Sequence, residues 1–222
     1  MSKINCKKDI VGDEIWVSCS GGVDSIAGAH YLMKKLKRKV KLFHYNHRLR
    51  EQNDDMELSV TKFAQKFNLL LEIRHREGTL NEPLSEASLR NLRLRSMQSV
   101  VGEDDIVFCH HLDDCVESYL MNCFNGVPEY CPIPVMTRFE FVDLEPKTRV
   151  LRPFLLTPKS SFERYSTEYN LDKFVVEDET NRDQKYRRNW VRHRARPVIE
   201  EHYPGIQKVV FKKMVEFYDA KN

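Results

Sequence analysis

The segment Ser20-Gly21-Gly22-Val23-Asp24-Ser25 has the residue types of an anion cradle. Two adjacent glycines let backbone N–H groups turn inward and approach a phosphate closely. A helix beginning here would add unpaired N–H groups and a partial positive charge, and Ser20 and Ser25 add hydroxyl donors. Asp24 would repel phosphate unless a cation bridges them, so Mg2+ is the expected companion, with Asp24 and Asp114 as its candidate ligands. No Gly-Lys-[Ser/Thr] follows, which excludes a Walker A loop, and no G-x-G-x-x-G dinucleotide fingerprint is present.

Three further clusters could act on a bound nucleotide. His110-His111-Leu112-Asp113-Asp114-Cys115-Val116-Glu117 crowds two imidazoles and three acids together. Asp114 and Glu117, three apart, project from one helical face and could hold a metal, an amine or a proton, while His110 or His111 could shuttle a proton. Asp113 suits an N-cap. Arg90 and Arg93 share a face and could clamp a phosphate or carboxylate; a solvated helix with a Glu86–Arg90 pair is the plainer alternative. Finally, seven Lys/Arg lie between Arg182 and Arg196, with Tyr186 and Trp190 interleaved. Lys185, Tyr186, Arg187, Trp190, Arg194 and Arg196 are therefore candidates for binding an RNA backbone and an unpaired base, and Arg188 and Arg192 point the same way at i, i+4.

These clusters need elements to hold them. Ile15–Val17, Val40–Tyr45, Leu69–Arg74 and Asp105–Cys109 read as strands. Between them, Ser25–Leu36, Asp54–Phe67 and Pro83–Val100 read as helices, the last with Pro at its start, and Asp113–Phe124 follows as a fourth. Alternation of this kind predicts an α/β fold, a Rossmann-like doubly wound parallel sheet, with a ligand crevice at the carboxyl ends of the strands. The polar segments Ser20–Ser25, His44–Arg50 and His110–Asp114 all follow strand ends. Residues 126–150, rich in proline, predict a long loop or an irregular hairpin. Beyond lie a helix from Thr157-Pro158 to about Tyr169, a short strand at Lys173–Val176, a polar loop at Asp178–Gln184, a basic helix reaching Pro197, and a closing helix over Pro204–Ala220.

The whole-chain totals agree with a packed domain: 41% hydrophobic residues, 10% aromatic and a net charge of only +3. None of the six cysteines forms a C-x-x-C pair, which argues against a zinc ribbon or an iron–sulfur cluster. No stretch approaches the roughly 18 apolar residues of a membrane span, so a soluble, cytoplasmic protein is expected.

The hexapeptide resembles the pyrophosphatase loop of the PP-loop ATP pyrophosphatases. The set taken together resembles one branch of them, the tRNA(Ile)-lysidine synthetase family. The matching residues are Ser20–Ser25, Tyr45-Asn46-His47-Arg48-Leu49-Arg50, Glu86–Arg93, His110–Ser118, Asp178–Asn181 and Arg188-Asn189-Trp190-Val191-Arg192. Asn46 stands where the family has Asp, Leu89 where it has Ala, Ser118 where it has Thr, and Glu179-Thr180 where it has Pro-Ser. The resemblance implies a catalytic domain over 1–200 and a closing helix over 201–222, without the family's further tRNA-binding domains. A homodimer or a helper subunit could replace these.

It also implies ATP and Mg2+ as cofactors, and isoleucine tRNA and L-lysine as partners. ATP would lie on Ser20, Gly21, Gly22, Val23, Asp24 and Ser25, with His44, Asn46 and His47 lining the nucleoside. The wobble cytidine would be adenylated and then joined to the lysine side-chain amine. Asp24, Arg90, His110, Asp114, Glu117, Arg188 and Arg192 would be catalytic. Within that scheme Asp114 and Glu117 position the ammonium, and Arg188 and Arg192 stabilise phosphate charge. Two alternatives stand beside it: sulfur transfer through Cys109 or Cys115, and a non-catalytic nucleotide- or RNA-binding module.

Overall fold

The computed structural model describes residues 3–77, 85–138 and 147–219. Six strands form one sheet: β1 (Glu14–Ser18), β2 (Lys39–Asn46), β3 (Leu70–His75), β4 (Asp105–Val107), β5 (Met136–Arg138) and β6 (Arg149–Leu151). Their order is β3-β2-β1-β4-β6-β5, parallel except for β5, which pairs antiparallel with β6. The expected doubly wound α/β architecture is therefore present. The proline-rich stretch resolves as the expected hairpin, and residues 139–146 fall outside the described residues.

Strand alternation assigns the two faces. Ile15, Val17, Val40 and Leu42 look toward α1 (Val23–Lys34), α2 (Gln52–Phe67) and α5 (Lys159–Glu168). Trp16, Phe43, Ile106 and Phe108 look toward α3 (Glu86–Val101), where they bury Leu94 and Met97. The expected Pro83 start of α3 lies outside the described residues; Ser85 caps the helix, accepting from the Ser88 N–H at 3.1 Å. Gly28 brings α1 close to β4, for a Cβ there would sit 2.5 Å from Cys109 Sγ.

α4 (Leu112–Phe124) is clasped by the closing helix α8 (Ile206–Asp219), whose Val210, Met214 and Tyr218 share a core with Leu112, Val116 and Leu120. The basic segment forms α6 (Arg187–Trp190), a π turn over Val191–Ala195 and α7 (Arg196–His202). The helix thus runs on past Pro197, because the wider π turn just upstream gives the proline ring room. The predicted strand at Lys173–Val176 is instead a 3₁₀ turn, Asp172–Phe174. Among the described residues no helix is long and apolar enough to cross a membrane.

The chain order reverses between β1 and β4: β2 and β3 build outward on one side, β6 and β5 on the other. The Ser20–Ser25 loop leaves β1 and the His110–Asp114 segment leaves β4. Both therefore open onto the crevice at the switch point, where ligands of such sheets bind.

Candidate active site

Gly21 takes φ +89°, and a Cβ on it would lie 3.3 Å from the Met56 carbonyl. Only glycine enters this turn without strain. Ser25 is buried, donates to the Gly22 carbonyl at 2.9 Å and accepts from the Ser20 N–H at 3.2 Å. Its hydroxyl thus shapes the loop, whereas Ser20, Gly22, Val23 and Asp24 face a cavity of about 560 Å³. Gly21 and Ser25 sit behind that wall. The Val176 N–H ties the loop from outside, donating to the Gly21 carbonyl at 3.0 Å.

His44, Asn46 and His47 line the same cavity at the end of β2. His44 Nδ1 lies 2.8 Å from the Cys19 carbonyl. Burial lowers the pKa of His44, and it brings His47 down to about 4, aided by the Arg93 charge. Asn46 also holds the end of β2 in place. Its amide donates to Asp54 Oδ1 at 2.9 Å and Glu57 Oε2 at 2.8 Å, while its carbonyl accepts from the Arg48 N–H at 2.7 Å. An aspartate could not make the first two bonds, which gives a physical reason for Asn at this position.

His111, not Asp113, caps α4. Its Nδ1 accepts from the Asp114 N–H at 3.3 Å, and Asp114 Oδ2 accepts from the His111 N–H at 2.9 Å. His111 Nε2 reaches Asp24 Oδ2 at 3.5 Å, which joins the two loops across the switch point. Burial alone would lower the His111 pKa; Asp114, then Asp24 and Asp113, outweigh it and raise it to about 9. His111 Nδ1 also lies 3.5 Å from Asp114 Oδ2. Asp113 instead accepts from the Lys159 N–H at 2.7 Å and pairs with Arg196 at 2.7 Å.

Glu117 is 1% exposed and does not line the cavity that holds the Ser20–Asp24 loop. It accepts from Arg188 Nε at 2.9 Å, Arg192 Nε at 2.6 Å and Arg192 Nη2 at 3.0 Å. Asp114 Oδ1 lies 3.3 Å from Arg188 Nη2 and 3.8 Å from Arg192 Nη2. Burial would raise the Asp114 pKa, but His111, Arg188 and His110 hold it below the usual carboxylate range. The acidic and arginine pairs expected to converge do converge, but on each other: Glu117 buttresses the guanidiniums. Burial pushes His110 down to about 3, with Asp114 opposing and Arg152 and Arg188 assisting. That burial favours the neutral ring.

A second cavity of about 450 Å³ adjoins the first and is lined by Arg50, Arg90, His110, Tyr186, Arg188 and Asn189, among others. Arg93, Asp114, Asp178 and Arg192 line both. Arg90 is exposed at the outer rim. Arg93 lies deeper over the Phe108 ring, its Nε buried and without a hydrogen-bond partner. Burial and the Arg90 charge bring its pKa down to about 10. Sequence reasoning favoured Arg90 of the two and passed over Lys159, which nothing in its spacing marks out; Asp178 entered it only through the family resemblance over Asp178–Asn181.

The other basic candidates divide. Lys185 and Arg194 are exposed, Arg194 bonding Gln184 at 2.9 Å. Arg187 and Trp190 face outward, away from both cavities. Arg196 is held by Asp113 and Glu200 at 2.7 Å each and lines neither of these two cavities. Among the described residues no three His, Cys, Asp or Glu side chains form a metal cluster. Mg2+ needs no such cage, since it is commonly held by one or two carboxylates and substrate phosphates. Asp24 fits that role: its Oδ1 is buried beside the loop with no hydrogen-bond partner.

The family model described as "PP-loop domain" matches residues 2–199. The chain is 30% identical to tRNA(Ile)-lysidine synthase of Thermotoga sp. strain RQ2, an alignment covering 90% of this chain and 49% of the relative. It is 29% identical to that of Exiguobacterium sibiricum (94% and 49%) and 28% identical to that of Staphylococcus aureus strain MRSA252 (86% and 45%). The chain thus spans about half the length of these curated relatives. Among solved structures, the U34-tRNA thiolase NcsA from Methanococcus maripaludis superposes with a TM-score of 0.70 at 17% identity, covering 96% of this chain and 76% of that one. That likeness concerns the fold.

Proposed function

Because this chain belongs to the PP-loop domain family, we propose that it adenylates a base of a tRNA and joins an amine to it. The finest form of the reading is lysidine synthesis at the wobble cytidine of isoleucine tRNA. ATP is the first substrate, L-lysine the amine, and AMP and pyrophosphate the products. The observation that carries the reading is the wall common to the two adjoining cavities. One cavity holds the phosphate loop, the other is basic and open, and Arg93, Asp114, Asp178 and Arg192 stand between them.

In this scheme the backbone of Ser20–Asp24 cradles the phosphates in the first cavity. Mg2+, held by Asp24 and the phosphates, with Asp114 nearby, would neutralise charge on the departing pyrophosphate. Arg93 and Arg192 face the innermost phosphate from the shared wall and stabilise the charge that builds there. The cytosine, in the second cavity, offers its carbonyl oxygen to that phosphorus, and pyrophosphate leaves. The amine then attacks the carbon carrying the adenylate, and AMP departs. Asp178 and Asp114 hold the ammonium and one of these carboxylates takes the proton it loses before attack, while Glu117 holds the arginines in register from behind.

The sulfur-transfer alternative fits the thiols poorly. Burial raises the pKa of Cys109 well above its ordinary value, and it raises that of Cys115 too. Such buried thiols carry little thiolate at neutral pH. The relatives named as lysidine synthases support lysine as the amine. The test is incubation with ATP, labelled lysine and isoleucine tRNA, followed by mass spectrometry of the nucleosides. Lysidine is expected; pyrophosphate release without label in the RNA would remove the lysine assignment, and no pyrophosphate release would remove the adenylation.

A further inference from the structure

On the outer side of the arginine helix, away from both cavities, lies a cleft of about 310 Å³ lined by Met121, Phe124, Asn125, Arg187, Trp190 and Val191. Phe124 is 58% exposed and Trp190 47% exposed, although both are large apolar side chains. Their rings lie 6.3 Å apart at 63°, so they form an open V, with neither ring covering the other. Arg187 makes no ion pair with any described residue, in contrast to Arg188, Arg192 and Arg196 on the same helix.

We propose that this cleft is a stacking site for an unpaired base of a single-stranded RNA segment, with Arg187 on the adjoining phosphate. Size, charge and continuity select this occupant. The volume suits one base. Aromatic faces beside an unpaired guanidinium match a stacked base on an anionic backbone. Tyr186, Arg188 and Asn189 line the inner basic cavity, while Arg187, Trp190 and Val191 line the cleft. One helical turn therefore separates them, and an RNA strand passing around α6 would place one base on each side. The Asn125 amide at the rim could bond a base edge. The proposal rests on the reading of the inner cavities as an RNA-modifying site and adds a second nucleotide outside the reaction centre.

The test uses the full chain and a hairpin RNA whose unpaired loop carries a fluorescent purine at each position in turn. Phe124→Ala and Trp190→Ala are each expected to weaken RNA binding about 10-fold or more, as loss of one stacked base does. Trp190→Phe should largely restore it, and ATP binding should not change. One loop position should lose its fluorescence quenching in Trp190→Ala alone. Arg187→Gln should reduce the salt slope of log affinity by about 0.7. Unaltered RNA affinity in both alanine variants, with folding verified by thermal melts, would overturn the proposal. So would sedimentation showing that the cleft instead mediates self-association lost in Trp190→Ala. If the unaltered protein binds no RNA at all, the fault lies with the RNA-modification reading that the proposal presupposes.

Discussion

Replacing Glu117 by Gln keeps the shape of the side chain and removes one charge. In the folded protein that carboxylate accepts from two guanidiniums at 2.6 to 3.0 Å and is 1% exposed. Glutamine can accept with one oxygen only, and its NH₂ would face an arginine donor. Removing one partner of a buried ion pair costs about 3–5 kcal/mol. Arg188 and Arg192 keep 36% and 26% of their side-chain surface, so water screens them and the lower figure, about 3 kcal/mol, is the better expectation. For a chain of this length that lowers Tm by roughly 6–12 °C. Kinetics should separate the two roles open to Glu117. As the buttress of the arginine pair, its loss lowers ATP-dependent pyrophosphate release at saturating lysine. As a direct ligand of the ammonium, its loss would raise KM for lysine and leave pyrophosphate release intact. An unchanged Tm together with a change confined to the lysine KM would refute the buttress.

Gly21→Ala should cost ATP affinity about tenfold in a binding titration, because the residue holds φ +89° and an added Cβ would lie 3.3 Å from the Met56 carbonyl. Asn46→Asp should destabilise by about 3–5 kcal/mol in denaturant melts at pH 7, since two bonds to carboxylates become repulsions. His30 is buried, bonds Tyr165 at 2.9 Å and is held at about 4, chiefly by burial. With its folded pKa below the ordinary 6.5, the unfolded chain takes the proton first, so stability falls as pH drops from 6.5 toward 4. His30→Gln should make that fall shallower by up to about 1.4 kcal/mol per pH unit in urea titrations. Arg93→Met should abolish most pyrophosphate release while leaving Tm unchanged or raised, because no described side chain neutralises that buried guanidinium.

The parallel strands and their helices were legible because Ile15–Val17, Val40–Tyr45 and Asp105–Cys109 are short apolar runs set between amphipathic stretches. The strand expected at Lys173–Val176 failed for a local reason. Phe174 and Val175 are apolar because they cover α2 and α1, not because they pair in a sheet. Asp113 suits the cap of α4 by residue type, but side-chain type cannot reveal that it is engaged by Lys159 and Arg196 from distant elements. Arg90 and Arg93 share a helical face within about 60°. Periodicity could not tell which of them is submerged, and only the Phe108 ring beneath Arg93 decides it.

The charges around the crevice fall into two groups, and the division bears on mechanism. Glu117, Asp113 and Arg196 are matched within the fold, so they stabilise it and fix geometry without needing a ligand. Asp24 Oδ1 and Arg93 Nε are buried without a hydrogen-bond partner, although Asp24 Oδ2 lies 3.5 Å from His111 Nε2. A buried polar group without a partner costs free energy, and the fold keeps one of each sign beside the same cavity. They do not neutralise each other, as no ion pair joins them among the described residues. A ligand carrying both signs satisfies both at once: phosphate oxygens for Arg93, and a phosphate-bound cation for Asp24. A magnesium nucleotide, the substrate of the proposed reaction, has that charge pattern.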